Sequence, residues 1–188
     1  AFKDDETFPY SYNPFMIEFV INIIPNDNNY NNMLHRLLYP NPEIFQIDKV
    51  FCLEMWKKIG LEECIQYLYF SLEKVGYEFN VGEKTCTVFN ELLEHFSVSQ
   101  IYGIIFKAIA NVTKYQREIG INNKHAANLV ITNCERYGER AIAEDWKLTH
   151  FNRNNKLPET VIHQVFFYGI IQISSLGFTE KPTDKFYY

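Results

Sequence analysis

Apolar residues recur at intervals of three and four along most of this chain, and no segment alternates cleanly between apolar and polar residues. Spacings of three and four place side chains on one face of an α-helix, whereas a half-buried strand requires strict alternation. Val98–Val112 is apolar almost all round, which predicts a helix buried in the core. The pattern as a whole predicts an all-α protein.

Polar caps, prolines and glycines mark where these helices begin and end. An Asn-Pro pair places a good N-cap before a proline whose missing N–H costs nothing, and capping-box spacing satisfies two backbone donors at once. Predicted helix starts of these two kinds are Asn13-Pro14, Asn41-Pro42, Asn80 with Glu83, and Ser97 with Gln100. Predicted helix stops are Pro25, Pro40, Gly60, Gly76, Gly120 and Gly177.

About eight helices with short connections follow from these boundaries. The predicted ranges are 14–24, 29–38, 44–58, 61–75, 88–96, 101–112, 124–146 and 161–173. We expect a single-domain multi-helix bundle with mostly antiparallel neighbours over residues 13–178. An acidic, aromatic tail over residues 1–12 precedes it, and an aromatic tail over residues 179–188 follows it.

Two segments do not fit the helical pattern. Asn26–Asn32 is rich in asparagine, which predicts a turn whose side chains bond their own backbone and cap the next helix. Lys147–Leu157 is a longer polar connection that carries His150, Arg153 and Lys156. Long polar connections in compact domains are often functional, although a solvated loop is the simpler interpretation.

The cysteines are widely spaced and lie inside apolar helical patterns, without any Cys-x-x-Cys pair. This usage predicts free, buried thiols in a reducing, cytoplasmic setting and no zinc site. Residues 160–179 are uncharged over a length that could cross a bilayer, but they include His163, Gln172 and other polar groups. We therefore expect a buried helix at this position and no membrane partner.

Motifs of catalysis are absent from the sequence. It has no G-x-S-x-G, phosphate-binding loop or dinucleotide fingerprint, which favours a non-enzymatic protein without a cofactor. Glu91, Glu94 and His95 share a helix, but Leu92 stands where a di-metal Glu-x-x-His motif needs glutamate. A surface acidic patch with a Glu91–His95 pair is the expected outcome, with no metal.

Charge distribution supports one alternative, a nucleic-acid-binding or regulatory protein. The net charge of −5 combines an acidic first half with a mildly basic second half, in which cations concentrate over residues 107–156. Residues 91–110 also resemble a helix-turn-helix, although the second helix is mostly apolar. In this alternative the phosphate-contacting residues are Lys114, Arg117, Lys124, Arg136, Arg140 and Arg153.

Aromatic residues at both chain ends support the interpretation that we favour, a helical protein-interaction module. Aromatic side chains outside regular helices are costly to leave in water, so they are expected to dock on the body or on another chain. The partner is then either a second copy, giving a homo-oligomer, or a different protein. The predicted partner-binding residues are Phe2, Phe8, Tyr10, Tyr12, Tyr187 and Tyr188.

Overall fold

The structure, a computed structural model, describes residues 23–185. Helices account for all regular secondary structure in this range, which confirms the all-α class. The α-helices are α1 (Tyr30–Leu38), α2 (Pro42–Gln46), α3 (Lys49–Glu73), α4 (Glu83–Leu93), α5 (Val98–Ile119), α6 (Asn123–Ala143), α7 (Val161–Gln164) and α8 (Leu176–Thr179). A π-helical turn, Val165–Ile170, continues α7.

The described residues fall into two units, one that ends at Leu37 and one that begins at Leu38, and the single helical domain over 13–178 stays a prediction. In the described part of the first unit, the predicted asparagine-rich turn leads into α1. The side chain of Asp27 accepts from the backbone N–H of Asn29, and the side chain of Asn29 accepts from that of Asn32. The predicted self-capping of this turn is confirmed.

Four long helices of the second unit, α3 to α6, run up and down in sequence order. Lys57 near one end of α3 pairs with Glu94 just after α4, and Lys107 of α5 bonds Tyr137 of α6. Consecutive helices are therefore antiparallel. Gly60 lies against Val98, and further along both helices Tyr67 stacks on Tyr102, so α3 and α5 run in the same direction.

Helix α5 lies at the centre of this arrangement, as its apolar sequence predicted. Its first fifteen residues are buried except on one face, which carries Phe106, Lys107, Ala110 and Asn111. The rings of Tyr67 and Tyr102 stack at 3.9 Å between centroids with 7° between their planes. This contact ties α3 to the middle of the core.

Gly60 does not end a helix, and the predicted break after Lys58 is wrong. Helix α3 continues from Lys49 to Glu73. A Cβ at Gly60 would lie 3.2 Å from Cγ2 of Val98 and 3.3 Å from Cδ2 of Leu93, so this glycine lets the helices approach closely. A real break lies earlier than predicted, at Asp48, whose side chain caps α3 through the N–H of Phe51.

The predicted caps have mixed outcomes. Asn41 caps α2 ahead of Pro42, and Ser97 forms the full capping box with Gln100, as predicted. Asn80 does not cap α4, because the helix begins at Glu83, two residues later than a cap at Asn80 requires, and its N-cap is Gly82. Gly120 ends α5 in the left-handed conformation, with φ of 78°.

The last predicted helix, 161–173, is helical only as far as Ile170, and its second part is π-helical rather than α-helical. Helix α7 passes into the π-helical turn, and the backbone then bends through Gln172 and Ser174, both with positive φ. The wider turn and the bend bury Phe166, Phe167, Ile170, Ile171 and Ile173 against Trp56 and its neighbours. Gly177 lies within α8 rather than at a helix stop.

All four cysteines are free, as predicted, and only Cys86 among them is half-buried rather than buried. Burial raises the pKa of the Cys64 and Cys134 thiols, which keeps both protonated at neutral pH. Within residues 23–185, none of the helices combines the length and apolar character needed to cross a bilayer.

Candidate functional site

The predicted partner-binding aromatics lie outside the described residues. Phe2, Phe8, Tyr10, Tyr12, Tyr187 and Tyr188 fall in the ranges 1–22 and 186–188, so their role stays a prediction. The site has to be sought within residues 23–185.

The six predicted phosphate-contacting cations lie in different settings. Lys114 and Arg117 line a groove between α3 and α5, and Lys124 lines a polar cleft at the start of α6. Arg136 is exposed on α6. Arg140 lies on the same helix, where its guanidinium pairs with Glu144 and stacks over the ring of Trp146.

Arg153 differs from the other five because its side chain points inward and is only 17% exposed. Its guanidinium lies over the Phe178 ring, 4.3 Å from the centroid, and pairs with a buried carboxylate described below. An arginine committed in this way does not present its charge to a phosphate backbone.

The segment that resembles a helix-turn-helix consists of α4, a short turn and α5. A recognition helix needs its first turn free to contact base edges. Here Val98, Ser99 and Ile101 are buried, and the connection after α6 contacts Ser99 and Gln100. The N–H of Phe151 donates to the carbonyl of Ser99, whose hydroxyl lies 2.8 Å from Nδ1 of His150.

The acidic residues at the end of α4 form surface contacts. Glu94 pairs with Lys57 of α3, and no Glu91–His95 bond is found among the described contacts. Within residues 23–185, no three His, Cys, Asp or Glu side chains come together in a way that could hold a metal ion.

A groove with a volume of about 620 Å³ lies between the second halves of α3 and α5. Regular helical spacing builds it, because residues three and four apart share a helix face. Its apolar lining comprises Tyr67 and Phe70 from α3, Val75 just after α3, and Phe106, Ile109 and Ala110 from α5. Phe106 is 56% exposed, so a large aromatic surface faces the groove and solvent.

Charged residues gather at one end of this groove. Lys74, Lys114 and Arg117 line it there together with Glu118, which lies 4.0 Å from Lys114. Asn154, from the connection after α6, lines it too, and Ser71 and Thr113 complete the lining. Three cations against one carboxylate leave the groove with a positive rim, although the whole chain is acidic.

Sequence reasoning found Lys114 and Arg117 but not the groove itself. A second stripe on α5, formed by Phe106, Ala110 and Thr113 at spacings of four and three residues, lies beside the buried face. This stripe could have indicated that α5 has more apolar surface than one core face requires.

A buried ionic cluster, defined by Glu63, Arg153, Glu159 and His163, lies about one helical turn before the groove along α3. Glu63 is 4% exposed and accepts two hydrogen bonds from Arg153, at 3.0 and 3.2 Å. Nδ1 of His163 lies 2.8 Å from Oε1 of Glu63, and its Nε2 lies 3.6 Å from Oε1 of Glu159. The His163 ring packs against Phe167, 4.5 Å between centroids.

The cluster holds Glu63 as a carboxylate. Burial by itself would raise the pKa of Glu63, but hydrogen bonds from His163 and Arg153 outweigh burial and keep that pKa below its usual range. Both carboxylate oxygens of Glu63 already have partners within the cluster. The cluster therefore acts as a structural clamp between α3, α7 and the connection after α6.

The clamp also sets one end of the groove. Asn154, which lines the groove, follows Arg153 directly in the chain. Phe151 of the same connection packs on Phe106, 5.7 Å between ring centroids, and approaches Gly103 so closely that a Cβ there would lie 3.0 Å from it. Sequence reasoning missed this cluster because Glu63 and Arg153 are 90 residues apart.

We predict that the clamp makes stability depend on acid pH. Because the pKa of Glu63 is lower in the folded chain, its carboxylate stabilises the fold above the unfolded value of about 4.3, and this contribution is lost as pH falls through the folded value. Urea unfolding at a series of pH values below about 6 measures the effect. Glu63→Gln should flatten the acid loss, whereas Glu91→Gln, at an exposed position of α4, should not; equal slopes for all three proteins would contradict the prediction.

Comparisons of the chain with protein-family models, with curated proteins and with solved structures find no match. The function is therefore argued from the geometry of the groove and the clamp.

Proposed function

We propose that this protein is a non-enzymatic interaction module that binds a short amphipathic helix of a partner protein in the groove between α3 and α5. The observation that carries the proposal is an apolar groove with a cationic rim on an otherwise acidic chain. Helix-in-groove recognition uses anchors at positions i, i+3, i+4 and i+7 of the bound helix.

The dimensions of the groove support a helix as the occupant. From Phe106 to Arg117 the groove follows eleven residue steps of α5, or about 16 Å at 1.5 Å per residue, which is about three turns of a bound helix. Two helices that run side by side form its walls, so a third rod-shaped helix can lie between them. The rim selects for acidic residues beside the apolar anchors.

Designed peptides provide the test because they carry the proposed chemistry without an assumed partner. One peptide, about 15 residues long so that it can populate a helix, carries Leu and Phe anchors on one face and Glu on its flanks. A second has the same composition in scrambled order. Fluorescence anisotropy should show binding of the first in the range of about 1–100 µM and at least tenfold weaker binding of the second.

We predict that Ala110→Trp blocks this binding. Ala110 is exposed and lines the groove, so an indole at this position should fill the space of a peptide anchor and weaken binding by about tenfold or more. Asn111→Trp is the matched control, since Asn111 is the next residue, is exposed and does not line the groove. Circular dichroism and urea unfolding establish that both variants are folded.

Three results would overturn the proposal. The first is equal binding of the ordered and scrambled peptides, and the second is equal weakening by the two tryptophan variants. The third is saturable binding of decanoate, blocked by Ala110→Trp, with no binding of the ordered peptide. That last outcome would make the groove a site for small anionic amphiphiles instead of a protein helix.

A further inference from the structure

We infer that the bound helix has an acidic N-terminal turn and lies antiparallel to α3 and α5, with that turn at the end of the groove formed by Lys74, Lys114 and Arg117. This inference rests on the proposed function and specifies the chemistry and direction of its ligand. Two independent features of the groove, helix direction and side-chain charge, lead to it.

Helix direction is the first feature. Helices α3 and α5 run in the same direction, and both end at the cationic end of the groove, α3 at Glu73 and α5 at Ile119. Each helix carries partial negative charge at its C-terminus and partial positive charge at its N-terminus. A third helix between them is therefore favoured when its own N-terminus lies at this end.

Side-chain charge is the second feature. Lys74 is the C-cap residue of α3, and Arg117 lies in the last turn of α5. Lys114 lies one turn before Glu118, the carboxylate at this end, so the rim keeps an excess of positive charge. The opposite end is lined by uncharged residues, among them Tyr67, Phe106 and Asn154. Acidic residues on the ligand therefore find their counter-ions at one end only.

Both features favour the same ligand, because Asp and Glu in the first turn of a helix also stabilise that helix through its own dipole. A ligand in the reverse direction would place its C-terminal carbonyls beside those of α3 and α5. If its acidic turn were C-terminal, that turn would also destabilise the free peptide helix. The inferred direction of the bound helix therefore follows from the charges of both the groove and the ligand.

Two peptides of identical composition test the inference. Both carry the same apolar anchors, and three glutamates occupy the first turn of one and the last turn of the other. We expect the peptide with the acidic first turn to bind five- to tenfold more tightly at low salt, roughly the effect of a few dipole and ion-pair contacts. Raising the salt concentration should shrink this ratio.

Charge-reversal variants of the protein provide a second test of the inference. Arg117→Glu should reduce the affinity ratio of the two peptides to the part that their own helicity contributes, whereas Arg136→Glu, an exposed arginine of α6 outside the groove, should leave the ratio unchanged. Binding of both peptides with equal affinity, or a ratio that Arg117→Glu does not reduce, would overturn the inference while leaving the groove as a helix-binding site. Binding of neither peptide would overturn the proposed function itself.

Discussion

Arg153→Met is expected to lower the free energy of unfolding by about 3 kcal/mol, because it leaves the Glu63 carboxylate buried without its principal counter-ion. The guanidinium donates two hydrogen bonds to Glu63 and lies over the Phe178 ring, so methionine retains packing but not charge. Urea unfolding at neutral pH, followed by circular dichroism, measures the loss. We expect a lower midpoint with an unchanged slope.

Two further variants test whether the loss of stability comes from leaving the buried Glu63 carboxylate unpaired or from removing any cation. Arg140→Met removes an exposed partner of Glu144 and should cost no more than about 1 kcal/mol. Glu63→Leu combined with Arg153→Met removes both charges and should recover much of the stability, since apolar replacement of a buried ion pair is often neutral or favourable. If Arg153→Met costs no more than Arg140→Met, the clamp does not hold the fold.

Tyr102→Ala is expected to lower the free energy of unfolding by about 3–5 kcal/mol, an effect as large as that of Arg153→Met or larger. Tyr102 is fully buried, stacks on Tyr67 and meets the edge of Phe178 with 5.3 Å between ring centroids. Burial raises the pKa of its hydroxyl, which donates to the backbone carbonyl of Glu63 at 3.3 Å. The truncation leaves a cavity where α3, α5 and α8 meet, and thermal or urea unfolding measures its cost.

Two matched substitutions show how much of the loss in unfolding free energy comes from the buried ring of Tyr102. Tyr102→Phe keeps the stacked ring and should cost only about 1 kcal/mol, the typical net value of one hydrogen bond. Tyr115→Ala, on an exposed position of the same helix, should stay within about 0.5 kcal/mol of the parent. Comparable losses for Tyr102→Ala and Tyr115→Ala would show that the aromatic stack is not the centre of the core.

The sequence predicted those features that depend on neighbouring residues. Ser97 and Gln100 form the predicted capping box, and the apolar run that follows is the buried core of α5, since both patterns depend on the local backbone. Local patterns predicted helix ends less reliably where a tertiary contact determines which residue is present. Gly60 resembled a helix stop, but it is small because Val98 and Leu93 pack against it.

Local sequence patterns did not predict the candidate site either, because tertiary contacts between distant segments form it. Glu63, Arg153 and His163 come from three separate segments, and each is unremarkable in its own stretch of sequence. The groove requires α3 and α5 to run in the same direction, which follows from α4 returning between them. Lys114 and Arg117 were predicted as cations of a basic surface, and their position beside an apolar groove changes the ligand that they favour.

The most direct test of the groove is nitrogen-15 NMR of the full chain during titration with the peptide that has an acidic first turn. The account predicts that amide shifts change mainly for residues lining the groove, from Tyr67 to Val75 and from Phe106 to Glu118, and that Ala110→Trp removes these changes while Asn111→Trp retains them. Shift changes confined to other surfaces, such as the exposed face of α6 around Arg136, would contradict the account.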